Sequence, residues 1–261
     1  MQERHVNRRK YFDEQVYTTE KYVIPFISDF IDVTEKTSVL EIGCGEGGNL
    51  KPFLDKGWRC VGVDLSERKI ENGLRFFENH PQKENLTLVS KNIYDVDSLG
   101  EPFDLIIMRD TIEHIPNQEK FLGEVKKFLK PRGKIFFGFP PWQNPFGGHQ
   151  QICESKVLSK LPYFHLLPVP LYKGMLKLFG EPYARIEALL EIKETGISIE
   201  RFFNAAKTND YVVLKTKYFL FNPNYEIKFG IKPREQAKII SAVPYLRNFF
   251  TTALYCLVEK K

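Results

Sequence analysis

Several features that would narrow the class of this protein at once are missing from its sequence. The four cysteines form no CxxC pair and no regular spacing, so the sequence favours reduced thiols over a disulfide framework or a zinc site. No cluster of metal ligands is evident, and we expect no bound metal. The net charge is +5, but no run of five or more basic residues indicates a nucleic-acid surface. A nucleic-acid partner is therefore not expected.

The sequence also lacks a long hydrophobic run. No apolar stretch approaches the roughly 18 residues that a membrane-spanning helix needs, and the charged N-terminus has no apolar signal-peptide core. We therefore expect a cytoplasmic protein without a transmembrane helix. What the chain does have is 261 residues, 43% of them hydrophobic, which is enough for one large domain with a substantial core.

Strand and helix patterns alternate between residues 38 and 140. Short apolar runs predict five strands, at Val39–Ile42, Arg59–Asp64, Leu86–Ser90, Phe103–Met108 and Lys134–Phe139. Amphipathic patterns and caps predict helices at Asn49–Lys56, from an N-cap at Ser66 to about Asn79, and at Gln118–Leu129, with a turn at Pro131-Arg132-Gly133. This βαβαβ rhythm predicts a Rossmann-like, doubly wound α/β sheet with parallel strands and helices on both faces.

The chain is expected to form a single domain with four parts. We predict a helical cap over 1–36, the α/β core over 37–141, a helical insertion after the fifth strand over 142–195, and closing elements over 196–261. The closing elements are a helix, Ile197–Lys207, and two late strands, Tyr211–Phe221 and Thr251–Glu259. The apolar insertion permits two interpretations: a small subdomain with its own core, or a functional surface, which would be either a lid over an apolar substrate or a patch that touches a membrane.

A glycine-rich stretch follows the first predicted strand, in VLEIGCGEGGNL (39–50). Glycine permits positive φ and lets a ligand lie against bare backbone, while the N–H groups at a helix start face that ligand. Gly43, Gly45 and Gly48 satisfy GxGxxG, and Asp64 lies about 20 residues further on, as a ribose-binding acid should. A nicotinamide-dependent oxidoreductase is therefore one interpretation.

Two observations favour another cofactor. Glu41 ends the first strand, where its carboxylate would repel a pyrophosphate but would suit a cationic ligand that carries an amino acid. The two late strands replace the second mononucleotide-binding half that a dinucleotide enzyme needs. An ordered set of motifs adds to this: Glu41–Gly47, Val63–Ser66, Phe103–Ile107, Glu113–Ile115 and Leu129–Gly133.

Together these motifs resemble the class I S-adenosylmethionine (AdoMet)-dependent methyltransferases, and most closely the small-molecule, ubiquinone-biosynthesis-like branch. The resemblance implies AdoMet as cofactor and a mostly parallel sheet with an antiparallel late strand. It also implies that ten residues border the cofactor: Glu41, Gly43, Cys44, Gly45, Asp64, Leu65, Asn92, Ile93, Met108 and Arg109. Asp64 would bind both ribose hydroxyls and Leu65 would lie against the adenine. Many family members have aspartate where Asn92 stands.

Two histidines are candidates for catalysis. His149 follows the fifth strand after Gly147-Gly148 and is the first candidate for a general base, with His114 as the second. The alternatives are that His149 belongs to a surface loop, and that the pair Glu113-His114 holds the loop after the fourth strand by capping a helix and bonding to backbone. The base-methylation motif, Asn/Asp-Pro-Pro-aromatic, is absent at 109–112.

These patterns predict a methyltransferase that acts on a small acceptor, which could be apolar or lipid-linked. O-methylation is favoured because a hydroxyl nucleophile benefits from a general base. The alternatives are the nicotinamide-dependent oxidoreductase and a non-catalytic AdoMet-binding protein of the same fold.

Overall fold

The computed structural model describes residues 7–31 and 37–261. Within this part the strands are β1 (Ser38–Ile42), β2 (Arg59–Asp64), β3 (Leu86–Ser90), β4 (Phe103–Arg109), β5 (Leu129–Phe139), β6 (Tyr211–Phe221), β7 (Arg234–Glu235) and β8 (Ala253–Lys260). They form one sheet in the order β3-β2-β1-β4-β5-β8-β6-β7. β1 to β5 are parallel, whereas β8, β6 and β7 add antiparallel pairs at one edge. The predicted fold class is confirmed.

The helices of the described residues lie on both faces and at one end of this sheet. They are α1 (Arg8–Thr18), α2 (Ile24–Ile27), α3 (Lys51–Leu54), α4 (Glu67–Phe76), α5 (Gln118–Glu124), α6 (Val169–Leu178), α7 (Tyr183–Thr195), α8 (Ile199–Thr208), α9 (Asn224–Phe229), α10 (Lys238–Ser241) and α11 (Leu246–Phe250). A π-helical turn, Thr19–Val23, joins α1 to α2. No helix in the described ranges is long and apolar enough to cross a membrane.

The central strands are apolar because both faces of the sheet are covered. All five residues of β1 are buried, as expected for a parallel strand between two helical layers. Alternate side chains enter different cores: Leu40 belongs to the same cluster as Phe137 and Phe202 on one face, and Val39 belongs to the cluster on the other face, which includes Phe12. The predicted N-terminal helices thus cover one face of the sheet.

Some predicted boundaries are wrong. The turn at Pro131-Arg132-Gly133 lies inside β5, because Leu129 already pairs with Phe103 and the register then shifts at a bulge where Arg132 adopts positive φ. The helix predicted over Gln118–Leu129 is α-helical only to Glu124 and then tightens into a 3₁₀ turn.

Other elements are shorter than their patterns predicted. Only Lys51–Leu54 of the segment predicted as Asn49–Lys56 is α-helical, and α4 ends at Phe76 instead of about Asn79. Ser66 is the N-cap of α4, but its side chain makes no capping hydrogen bond. The two-residue strand β7 was not predicted, because Arg234-Glu235 has no apolar pattern.

The apolar segment after β5 packs on itself. Buried side chains from its turns and from α6 and α7, including Leu158, Phe164, Tyr172 and Leu189, form a cluster separate from the two sheet cores. This is the first of the two interpretations considered from the sequence. The predicted domain boundaries themselves stay a prediction.

The sheet places the candidate site at one edge. β1 lies between β2 and β4, so the chain reverses its direction of winding there. Ligands of doubly wound sheets bind beyond the carboxyl ends of the strands at this point. The glycine stretch, the turn after β4 and the loop after β5 all begin at this edge.

Candidate active site

The glycine stretch is a tight turn held by β2. Gly43 and Gly45 have φ of 76° and 55°, which a side chain would make costly. The N–H groups of Gly43 and Cys44 both donate to the Val63 carbonyl, at 2.8 and 3.1 Å. The turn therefore keeps a fixed position against the end of β2, as a backbone surface for a ligand requires.

Asp64 is anchored between the glycine turn and the start of α4. The Gly45 N–H donates to its Oδ2 at 2.8 Å and the Ser66 N–H donates to its Oδ1 at 2.9 Å. Lys69 Nζ lies 3.8 Å from Oδ1. Each carboxylate oxygen can accept a second hydrogen bond, so the carboxylate keeps acceptor capacity for two ligand hydroxyls.

Glu41 belongs to a buried polar network. Asn49 Nδ2 donates to Glu41 Oε1 at 2.5 Å, whereas Oε2 has no hydrogen-bond partner. Burial raises the pKa of Glu41 to about 8, against the lowering effects of Asn49 and Arg109. Arg109 donates to Asn49 Oδ1 and Asn224 Oδ1, both at 2.5 Å. The guanidinium of Arg109 thus links the glycine turn to α9.

The other residues predicted to border the cofactor differ in exposure. Leu65 is 75% exposed beside Asp64, and Asn92 is exposed with its side-chain oxygen accepting from the Tyr94 N–H. Cys44 and Met108 are fully buried, and Ile93 is almost so. Their roles in cofactor binding stay predictions.

A cleft of about 450 Å³ opens at the same edge of the sheet, although none of the ten residues predicted to border the cofactor lines it. Its lining includes Lys69, which is near Asp64, together with His114 and His149. The two imidazole rings meet edge to face, with centroids 4.9 Å apart and planes at 88°. The histidines proposed separately from the sequence are therefore neighbours in one cleft.

Glu113 does not cap a helix. It lies in the 3₁₀ turn Ile112–His114, and neither of its buried carboxylate oxygens has a hydrogen-bond partner. The N-cap of α5 is Asn117, whose side chain accepts from the Lys120 N–H. The capping interpretation of Glu113-His114 is therefore wrong. Potential ligand atoms of Glu113, His114 and His149 lie within 4.8 Å of one another, a cluster that was not evident from the sequence.

His114 remains accessible to solvent although protein surrounds it closely. Its side chain is exposed within the cleft, and burial of the ring lowers its pKa below the usual histidine value. The nearby charge of Asp110 opposes this effect. Burial thus favours the neutral imidazole, which can accept a hydrogen bond or a proton, or coordinate a cation.

The sequence profile of a methyltransferase-domain family matches residues 14–150, just over half of the chain. The chain belongs to this family. The resemblance to the class I AdoMet-dependent methyltransferases is confirmed, and with it the enzyme class and AdoMet as cofactor. No comparison supports the nicotinamide alternative.

Curated relatives match this methyltransferase domain at low sequence identity. An uncharacterized protein of Rickettsia prowazekii is 27% identical over 69% of this chain and 83% of its own length. A ubiquinone biosynthesis O-methyltransferase of Bartonella tribocorum is 29% identical over 46% of this chain and 49% of its own. The chain spans about half or less of the length of most of the curated relatives it matches.

Solved structures agree on the fold. A structure from Thermotoga maritima, described as a possible histamine N-methyltransferase, superposes with a TM-score of 0.56 at 15% identity, covering 99% of this chain and 98% of the other. The match includes the closing strands as well as the methyltransferase core. At this identity the likeness concerns the fold alone.

The site of this methyltransferase domain also includes residues that the sequence did not reveal. Arg8 on α1 donates to both carboxylate oxygens of the fully buried Glu46, at 2.6 and 2.5 Å, and so holds α1 over the glycine turn. Glu226 on α9 accepts hydrogen bonds from Tyr17 and Tyr22. Partners far apart in the chain carry no sequence pattern, although Glu46 lies within the glycine motif itself.

Proposed function

We propose that the protein transfers the methyl group of AdoMet to a hydroxyl of a small acceptor bound in the cleft. The observation that carries this proposal is the continuity of the cleft. Its lining extends from Lys69, beside the Asp64 carboxylate, to His114 and His149. A cofactor held at Asp64 and an acceptor held at the histidines would therefore share one space.

The residues around the glycine turn fit AdoMet. Asp64 keeps acceptor capacity for the ribose hydroxyls, and the exposed Leu65 beside it offers an apolar surface for the adenine, which Asn92 and Ile93 would also border. The unpartnered Oε2 of Glu41 offers an acceptor for the ammonium group of the methionine part. The backbone of Gly43–Gly45 and the buried Met108 and Arg109 would shape the wall between these ends.

AdoMet supplies a methyl group that is electrophilic because it is bound to a sulfonium. The protein must hold the acceptor oxygen in line with the carbon–sulfur bond and exclude water, and such positioning can supply roughly 7–11 kcal/mol of the barrier. His149, with His114 as its partner, would contact the acceptor hydroxyl and assist the loss of its proton, an effect typically worth about 10²–10⁴-fold.

The acceptor that we propose is apolar or lipid-linked. The turn between α6 and α7 exposes Leu178, Phe179 and Tyr183 to solvent, a surface that suits contact with lipid. The relatives named as ubiquinone biosynthesis O-methyltransferases support both the hydroxyl and the apolar character. A cytoplasmic location with peripheral membrane contact is part of this proposal.

Calorimetric titration with AdoMet, its demethylated product and NADH tests the cofactor first. We expect AdoMet and the product to bind and NADH not to bind. Asp64→Asn keeps the size of the side chain but replaces one acceptor oxygen by a donor, so AdoMet should bind at least about 10-fold more weakly. Asp29→Asn, an exposed aspartate paired with Lys215, is the matched control.

Candidate acceptors that carry a hydroxyl group are then screened by measuring the formation of demethylated AdoMet. His149→Gln is the first catalytic variant to test. Loss of turnover with AdoMet binding unchanged would support the role of His149. Binding of NADH instead of AdoMet would contradict the proposed function altogether.

A further inference from the structure

Glu113 is a carboxylate that the fold buries without a partner. Only 3% of the residue is exposed, and neither Oε1 nor Oε2 has a hydrogen-bond partner. A buried carboxylate is costly unless a proton or a cation balances its charge, so the position suits a bound cation.

Two imidazoles stand beside this carboxylate. One ligand atom each of Glu113, His114 and His149 lies within 4.8 Å of the other two. Some point therefore lies no farther than about 2.8 Å from any of the three atoms, and an inward shift of under about 1 Å would reach the 2.0–2.2 Å typical of Zn–N and Zn–O bonds. Side-chain rotations of this size need no change in the backbone.

The loop that carries His149 is packed too tightly to be an incidental surface loop. A Cβ on Gly147 would lie 2.2 Å from the Trp142 carbonyl oxygen, and one on Gly148 would lie 2.3 Å from Cβ of His165. His149 itself adopts positive φ, at 54°. The two glycines therefore let the chain pass close to Trp142 and His165 and present the imidazole of His149 to the cleft.

We propose that Glu113, His114 and His149 bind one divalent transition-metal ion, such as Zn²⁺ or Mn²⁺, and that this ion coordinates the acceptor hydroxyl. Two imidazoles and one carboxylate favour such ions over Mg²⁺, which prefers oxygen ligands alone. Three protein ligands leave coordination positions open for water and substrate, as in catalytic metal sites. Asp110, which lines the same cleft, can accept a hydrogen bond from a metal-bound water.

The inference rests on the proposed function and gives the histidines a different way of assisting the reaction. The ion lowers the pKa of the hydroxyl that it coordinates, and the proton leaves to solvent water. The oxygen then attacks the methyl carbon: the new C–O bond forms as the C–S bond breaks, and the electron pair of that bond stays on sulfur. Imidazole nitrogens that hold the ion cannot also accept the proton, so the ion replaces the general base predicted from the sequence.

Metal titration of the EDTA-stripped, full-length protein tests the site without any turnover. Zn²⁺ and Mn²⁺ are titrated separately by calorimetry, and Co²⁺ absorption reports the coordination. We expect one equivalent to bind in the micromolar range or tighter. Glu113→Gln and His149→Gln should each weaken binding by more than about 100-fold, since even neighbours of ligands are worth 10–100-fold. Glu119→Gln, an exposed glutamate on α5 outside the cleft, should bind like the wild type.

Cofactor titrations on the same samples separate the two proposals and check the fold. Glu113→Gln should still bind AdoMet and should melt no lower than the wild type in EDTA, because it replaces a buried, unpartnered carboxyl group by an amide that has no charge to desolvate. Two results would overturn the metal site and leave the proposed function standing. In the first, the wild type binds AdoMet but does not bind one equivalent of metal. In the second, both variants bind the metal as tightly as the wild type does. If the wild type binds the metal, both variants lose this binding, and no protein binds AdoMet, the metal site would be supported and the proposed function overturned.

Discussion

Glu41 is held in the site at a cost to stability. Burial raises its pKa to about 8, from an ordinary value of 4.5. Below pH 4.5 the carboxyl is protonated in both the folded and the unfolded chain. Between pH 4.5 and 8 the unfolded chain releases this proton while the folded chain keeps it, so this group lowers the free energy of unfolding as the pH rises. A residue that costs stability at neutral pH suits a role in binding a cation.

Replacing Glu41 by Gln should separate stability from cofactor binding. The amide has no charge to desolvate, so the variant should gain a few kcal/mol over the wild type between pH 5 and 8, measured as the difference in urea unfolding curves. AdoMet should bind more weakly to the variant, because the amide does not balance the methionine ammonium. A variant with the same pH dependence as the wild type would show that Glu41 titrates normally.

His165 is a buried base, and its pKa shifts in the direction opposite to that of Glu41. Its Nε2 bonds to the Trp142 carbonyl at 2.8 Å, and burial lowers its pKa to about 4. As the pH falls from 6.5 to 4, the unfolded chain takes up a proton that the folded chain refuses. Relative to His165→Gln, which can still donate to Trp142, the wild type should lose about 3 kcal/mol over this range.

Denaturant unfolding at pH 7, 5 and 4 measures the difference, and parallel curves for the two proteins would contradict the prediction. This role agrees with the sequence, in which His165 lies among apolar residues.

The pairing of His114 with His149 could not be predicted in the same way. The two residues follow different strands, and only the parallel register of β4 and β5 brings their loops together.

The helix α1 is fitted closely onto the glycine turn. A Cβ on Gly48 would lie 2.7 Å from the Phe12 carbonyl oxygen, so Gly48 serves the packing of α1 as well as the ligand motif. The bidentate salt bridge from Arg8 balances the charge of Glu46, which is fully buried. Because one face of the cofactor turn is built by α1, we expect the stability of this helix to control access to the turn.

A double-mutant cycle on Arg8 and Glu46 measures that coupling. Arg8→Gln leaves a buried carboxylate unpaired and should cost about 3–5 kcal/mol of stability. Adding Glu46→Gln removes the stranded charge, so the double variant should recover much of the loss. Arg9→Gln, whose partner Asp13 is exposed, is the matched control and should change stability little.

The rate of backbone amide hydrogen exchange in residues 43–50 should be higher in Arg8→Gln than in the wild type, and it should return towards the wild-type rate in the double variant. Exchange that is equal in the wild type and both variants would show that α1 does not hold the turn. AdoMet affinity should follow the same order, since the ligand needs the turn in one conformation.

Elements with strong local patterns could be predicted, whereas elements that depend on long-range pairing could not. β2 and β3 have the predicted bounds because each has a short run rich in apolar residues between clear turn signals. The start of β5 depends on Leu129 pairing with Phe103, a contact that no local pattern encodes. In the site, the glycine turn and Asp64 could be predicted because they belong to one sequence motif. That the buried carboxylate of Glu113 has no hydrogen-bond partner could not be predicted, because this depends on its three-dimensional surroundings.

The molecule as a whole combines a net charge of +5 with an apolar surface away from the sheet. Around the turn between α6 and α7, Leu178 is 81% exposed and Tyr183 is 71% exposed. Lys177 lies beside them in the chain. Apolar side chains next to lysines favour the interface of an anionic membrane. A lipid-linked acceptor would then be collected where the helical segment meets the membrane.

Sedimentation with vesicles tests this surface. The protein should bind vesicles that contain phosphatidylglycerol more strongly than vesicles of phosphatidylcholine alone, and added salt should weaken the binding because part of the attraction is electrostatic. Replacing both Leu178 and Tyr183 by Ser should reduce binding by at least about 10-fold, since each buried side chain contributes 1 kcal/mol or more. Leu74→Ser, an equally apolar change on the exposed face of α4, should leave binding unchanged. If the double variant binds like the wild type, the α6–α7 turn does not contact lipid, and the acceptor must reach the cleft from water.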